Sequence, residues 1–156
     1  MLEDMPPNKN QDERLIHINW DPPRTCADVL KITDAGIYQV YGQHVVFGPA
    51  SLLYIGRTVN FAERFQGHAA WLDFESDIEI RLGRLTWETD AERDKWLAHV
   101  EALTIYVHSP PYNSHHIAAY RRPPLRIRNH GQRGRLMFEY SGPWDVPLRP
   151  DDEKET

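Results

Sequence analysis

Cysteine is nearly missing from this chain of 156 residues, with Cys26 standing alone. A single thiol closes no intramolecular disulfide and builds no multi-cysteine zinc site, and it fits a reducing, cytoplasmic compartment. No apolar run reaches membrane-spanning length, so no membrane partner is expected. The opening MLEDMPPNKNQDERL has none of the basic, apolar and small-residue zones of a secretory signal. Also missing are a phosphate-cradling G-x-x-x-x-G-K, a G-x-S-x-G elbow, an H-E-x-x-H helix and any internal repeat. The expectation is one soluble, cytoplasmic domain, large enough to bury a single core.

Basic charge is short as well, with a net charge of −5. Its distribution matters more than its total. Residues 1–13 and residues 150–156 carry net −3 each, leaving +1 for 14–149. The acidity therefore belongs to the two tails, of which the first reads as disordered and the second as an acidic extension. Residues 113–138 hold Arg121, Arg122, Arg126, Arg128, Arg133 and Arg135 with three histidines and no acid. Such a segment neutralises phosphates even on an acidic protein, or else forms a solvated hairpin face. The adjacent His115 and His116 make a poor metal pair and suit phosphate or base contact better, since neighbours in a strand point to opposite faces.

Between the tails the local order is strand, strand, helix. GIYQVYG and SLLYIGR are rich in β-branched and aromatic residues, and Gly48-Pro49 supplies turn chemistry between them. NFAERFQGHAAWL then changes to a helical period, with Asn60 and Glu63 spaced as a capping box. LIHINW reads as a short strand, TCADVLKI as a short helix and IEIRLGRL as a further strand. Thr89 with Glu92 opens a helix from about Asp90 to Tyr106, which Pro110 and Pro111 bar from continuing. LRIRNHGQRGRLMFEYSG reads as a second hairpin.

Several polar residues sit where patterning alone leaves their role open. On a wheel of the first long helix, Arg64 and His68 fall inside the apolar stripe with Phe61, Phe65 and Leu72. That suits a snorkelling arginine, a buried ion pair or a site reached from the sheet side. Glu101 falls at the edge of the second helix's stripe, where a solvated carboxylate is equally natural. Tyr38 and Tyr54 alone would be core aromatics, and Asn113 after two prolines a turn residue.

Taken together, Gly36-Ile37-Tyr38, Tyr54-Ile55-Gly56, Arg64, His68, Glu101 and Asn113 resemble the GIY-YIG nucleases over residues 36–113. The spacing from Tyr38 to Tyr54 is longer than in compact members, and the excess falls in QHVVFGPA. The resemblance implies an α+β fold: a small antiparallel sheet of the motif hairpin and strand 78–85 between helices 60–72 and 90–106. A basic extension over 114–149, ending in the C-terminal hairpin, would complete it. It implies phosphodiester hydrolysis of DNA by in-line attack of water. Tyr38 would be the base or relay, Tyr54 would orient phosphate or water, and His68 would take the proton. Arg57 would favour the phenolate and Arg64 would hold the scissile phosphate. Glu101 would hold one Mg²⁺ (or Mn²⁺), and Asn113 would brace the site. A chain without room for further domains is most similar to restriction-type or small single-domain members, and double-strand cutting would call for a homodimer. RNA cleavage, or a catalytically silent binding module on the same fold, would use the same surface.

Overall fold

The computed structural model describes residues 13–72, 78–87 and 89–143, with the side chains of 68–72 outside that description. Both acidic tails lie outside the described residues, apart from Glu13. The strands are β1 (Arg14–Trp20), β2 (Gly36–His44), β3 (Gly48–Thr58), β4 (Glu79–Leu85), β5 (Leu125–Gly131) and β6 (Glu139–Gly142). The helices are α1 (Cys26–Val29), α2 (Phe61–Leu72) and α3 (Asp90–His108). No helix among the described residues is long and apolar enough to cross a membrane.

The fold is α+β as expected, but its sheet is larger and not wholly antiparallel. Six strands run in the order β3-β2-β4-β1-β5-β6. The motif hairpin and β4 pair antiparallel, whereas β1 and β5 pair in parallel from Arg14↔Leu125 to Trp20↔Gly131. Hairpin signals reveal pairing between neighbours in sequence. A parallel pair separated by most of the domain leaves no such local sign.

Both faces of the sheet are covered. One carries Val29, Tyr38, Val40, Phe61, Phe65, Ile80 and Leu82, packed under α1 and α2. The other carries Ile37, Ile55, Leu97, Val100, Leu103 and Ile127 among others, packed under α3. Central strand β2 is therefore buried from Gly36 to Gly42 without alternation. Its buried Gln39 is satisfied by the Tyr41 hydroxyl and by the Arg133 carbonyl, 3.2 Å from Nε2.

Capping places the helices. Asn60 Oδ1 accepts from Glu63 N at 3.2 Å, and Thr89 Oγ1 accepts from Glu92 N at 3.2 Å. Helix α3 runs two residues past the expected Tyr106 and ends at Ser109, whose φ of 44° is left-handed, just before the prolines. The excess between the motif tyrosines is a longer hairpin rather than an inserted loop. Its tip exposes Val45, Val46 and Phe47. A register shift opposite Val40 and Tyr41 leaves Leu53 as the extra residue.

Candidate active site

Strand register decides which motif residues meet. Tyr38 lies opposite Gly56 and Val40 opposite Tyr54, so Tyr38, Tyr54 and Gly56 share the face under α2. The two tyrosine rings lie 6.0 Å apart. A Cβ on Gly56 would sit 2.4 Å from Cζ and Oη of Tyr38, so only glycine lets this phenol cross β3. Gly36 has a parallel reason, since its Cβ would lie 2.2 Å from the Gly83 carbonyl oxygen on β4.

Tyr38 is fully buried, with its ring edge-on to Phe65 at 4.8 Å and to Phe61 at 6.5 Å. From α2, Arg64 Nε donates to the Tyr38 hydroxyl at 3.2 Å, and the Tyr54 phenol also interacts with the Arg64 guanidinium. Arg64 is nonetheless exposed, so it meets both the buried Tyr38 phenol and solvent. Burial pushes the Tyr38 hydroxyl well above the ordinary tyrosine range, with the Arg64 bond opposing it. His68 falls one turn beyond Arg64 on α2, and its side chain lies outside the described residues.

On the other face of the same hairpin, β3 supplies a second cation and α3 the carboxylate. Arg57 lies opposite Ile37, under α3, with its Nε 3.5 Å from Glu101 Oε1. Arg57 thus lies at Glu101 on the α3 side, and the cation hydrogen-bonded to the Tyr38 oxygen is Arg64. Glu101 does not point into solvent, since its side chain is only 16 % exposed. Burial raises its pKa, against the pull of Arg57, Arg64 and Arg122. Electrostatic coupling joins the two faces, for Glu101 also raises Tyr38 and is itself stabilised by Arg64.

Asn113 braces the edge between them. Ile55 N donates to Asn113 Oδ1 at 3.0 Å, and Asn113 Nδ2 donates to the Ile55 carbonyl at 2.9 Å. With Tyr112 N donating to the Leu53 carbonyl at 3.0 Å, the segment after α3 pairs with the outer edge of β3. The side-chain amide thus stands in for a neighbouring strand and fixes Tyr54 and Gly56. It holds the strand rather than the helix end.

The Arg-rich segment does not act as one surface. Arg126 pairs with Glu13 and Glu139, each at 3.2 Å, and Arg128 pairs with Glu139 at 3.1 Å. These two are neutralised by acids outside the segment, which its sequence alone conceals. Arg133 Nε donates to the Leu136 carbonyl at 3.1 Å, and Arg135 N donates to the Tyr41 hydroxyl at 2.8 Å, so their loop docks on β2. Arg121 and His115 are exposed. Arg122 differs from the hairpin arginines, because it acts on Glu101 and on half-buried His116, whose pKa burial, Arg122, His115 and Arg57 lower. Arg122 and His116 therefore couple to the Glu101 region, whereas Arg126 and Arg128 are paired with acids, and Arg133 and Arg135 are exposed.

Among the described residues no group of three or more His, Cys, Asp or Glu gathers. Glu101 is instead a lone hard-oxygen donor. That donor set suits Mg²⁺ or Mn²⁺ retaining most of its waters and taking phosphate oxygens, and it does not suit zinc. Sequence patterning missed His99, whose Nδ1 lies 3.2 Å from Arg122 Nη1; a lone histidine on a helix face gives no local signal. Comparisons with protein-family models, curated proteins and solved structures returned no match.

Proposed function

We propose that this chain is a metal-dependent DNA endonuclease of GIY-YIG type. The observation that carries the reading is an exposed guanidinium, Arg64, hydrogen-bonded to the phenol of one motif tyrosine and interacting with a second, coupled to a half-buried carboxylate. A purely structural arginine would more simply pair with an acid, as Arg126 does.

Arg64 would exchange part of its contact with the phenols for the scissile phosphate and stabilise charge as it builds on the non-bridging oxygens. Tyr54 would orient that phosphate. Because burial holds the Tyr38 proton tightly, Tyr38 acts as a relay: it accepts a proton from the attacking water as its own passes to His68. No free phenolate has to accumulate. Glu101 would hold the Mg²⁺ or Mn²⁺, which when bound supplies Lewis-acid stabilisation of the leaving 3′ oxygen. Arg57 and Arg122 oppose the burial that raises the Glu101 pKa and would offer positive charge to the flanking phosphates. A protein cutting both strands at one site would act as a symmetric dimer.

Single-stranded DNA, duplex DNA and RNA, each incubated with purified protein and Mg²⁺, test the proposal. DNA cleavage that vanishes in Glu101→Ala and in excess chelator is expected. Cleavage of RNA alone would change the substrate, and inertness of the folded protein on all three would reject the enzyme.

A further inference from the structure

A row of aromatic and cationic side chains leads away from the Glu101 carboxylate across α3. Arg122 acts on Glu101 and contacts His99 at 3.2 Å. The His99 ring meets Trp96 edge-on at 5.3 Å, and Trp96 stacks with Trp87 at 6.2 Å with planes 20° apart. The exposed Arg14 closes the row, with its guanidinium carbon 4.4 Å from the Trp87 ring centre and 5.0 Å from that of Trp96. From Arg122 to Arg14 each step is a side-chain contact, and the link from Arg122 to Glu101 is electrostatic.

Two features make this more than the rim of the core. Trp87, with Arg14, Thr86 and Glu92, lines an open cavity of about 660 Å³. The Trp87 indole N–H is buried without a hydrogen-bond partner among the described residues. A core-edge indole ordinarily turns its N–H to a partner or to water. Here the ring stacks with Trp96, and the Arg14 guanidinium lies against both indoles.

We propose that this row is a track for single-stranded nucleic acid leading to the candidate active site. Alternating flat rings and guanidinium groups provide what a single strand offers contacts to: stackable base faces and backbone charge. A duplex keeps its base faces stacked on each other and gains little from the two indoles. Arg14 would swing to phosphate as a base takes its place on the rings. Glu92 at the cavity edge disfavours phosphate there and leaves the cavity to a base.

The track rests on the nuclease reading, so binding and cleavage are measured separately. Fluorescence anisotropy would follow labelled single-stranded and duplex oligonucleotides of equal length, with Glu101→Gln protein to suppress cutting. Adding Trp96→Leu or Trp87→Leu should weaken single-strand binding roughly 5- to 150-fold per ring, leaving duplex binding nearly unchanged. Arg14→Ala, which removes no core aromatic, keeps the test valid should a tryptophan variant fail to fold; it should weaken single-strand binding and reduce its salt slope. Equal loss on both substrates, or unchanged single-strand binding in folded variants, overturns the track while leaving the nuclease intact. If the Glu101→Gln protein binds neither substrate and the wild type cuts neither, the nuclease reading fails and the track with it.

Discussion

The two hairpins of this sheet use the same residue types to opposite ends. In β5–β6, Arg126 and Arg128 meet Glu13 and Glu139, two cations against two anions. There Tyr140 shares its hydroxyl with Thr104 at 2.9 Å and Asn129 at 3.3 Å, while Asn129 Oδ1 takes the Trp20 indole N–H at 2.8 Å. Around β2–β3, three guanidinium groups, of Arg57 on β3, Arg64 on α2 and Arg122 ahead of β5, act on the single carboxylate of Glu101 on α3. One hairpin is electrically closed, and the other has cationic charge to spare for an anionic ligand. The nuclease reading proposed above assigns chemistry to the open hairpin, because cations already matched by acids have less charge to give an anionic substrate.

Arginine substitution should separate the hairpins most widely. Arg64→Ala should lower DNA cleavage by about 10²- to 10³-fold, the scale for removing a donor to a charged transition state. Arg126→Ala should leave the cleavage rate near wild type. Comparable losses in both would place phosphate recognition across the whole sheet and break the contrast.

The tyrosines sharpen it next. Burial raises both hydroxyls, Tyr140 to about 12 and Tyr38 further, so pKa alone does not tell them apart. Their partners do. Tyr38→Phe should be nearly inactive with DNA affinity unchanged, since only a phenolic oxygen is lost. Tyr140→Phe should keep its activity and lose about 1–2 kcal/mol of stability, through a broken buried network. Kinetics and urea denaturation on both variants check this, and substantial turnover by Tyr38→Phe would move the proton relay to His68 or bulk water.

Gly56→Ala tests how closely the open hairpin is built. The added methyl would overlap the Tyr38 ring, so a loss of about 1–3 kcal/mol is expected, with activity falling beyond what the unfolded fraction explains. Full activity would mean that the position of Tyr38 is not critical.

Much of this was legible in sequence, and what was not has a physical reason. Both N-caps, both hairpins and the stop after α3 are local signals, encoded within a few residues. The order of Tyr38, Tyr54, Arg64, Glu101 and Asn113 pointed to one site, and these side chains do meet or couple at the β2–β3 hairpin. Patterning could not reveal that Arg57 faces α3 rather than Tyr38, because register follows from the bulge at Leu53 and from pairing with β4. Nor could it reveal that Glu13 and Glu139 would neutralise Arg126 and Arg128. Glu13 is brought there by the parallel docking of β1 on β5, a contact between chain ends.

The smallest expected effect is on stability, where the two carboxylates should differ in sign. Burial raises the pKa of Glu101, whereas Arg128 and Arg126 lower that of Glu139. A raised carboxylate favours the fold below its unfolded pKa of about 4.3 and loses that contribution as pH rises through its folded value; ionised Glu101 is therefore a net burden at neutral pH. A depressed one contributes above the unfolded pKa and loses its contribution as pH falls through its folded value. Glu101→Gln should accordingly raise the urea midpoint at pH 7 while abolishing cleavage, and Glu139→Gln should lower the midpoint and spare cleavage. Both differences should shrink toward acid pH, where the wild-type carboxyls protonate. A Glu101→Gln protein less stable than wild type at pH 7 would mean that its three arginines more than repay its burial, and the hairpin would be closed after all.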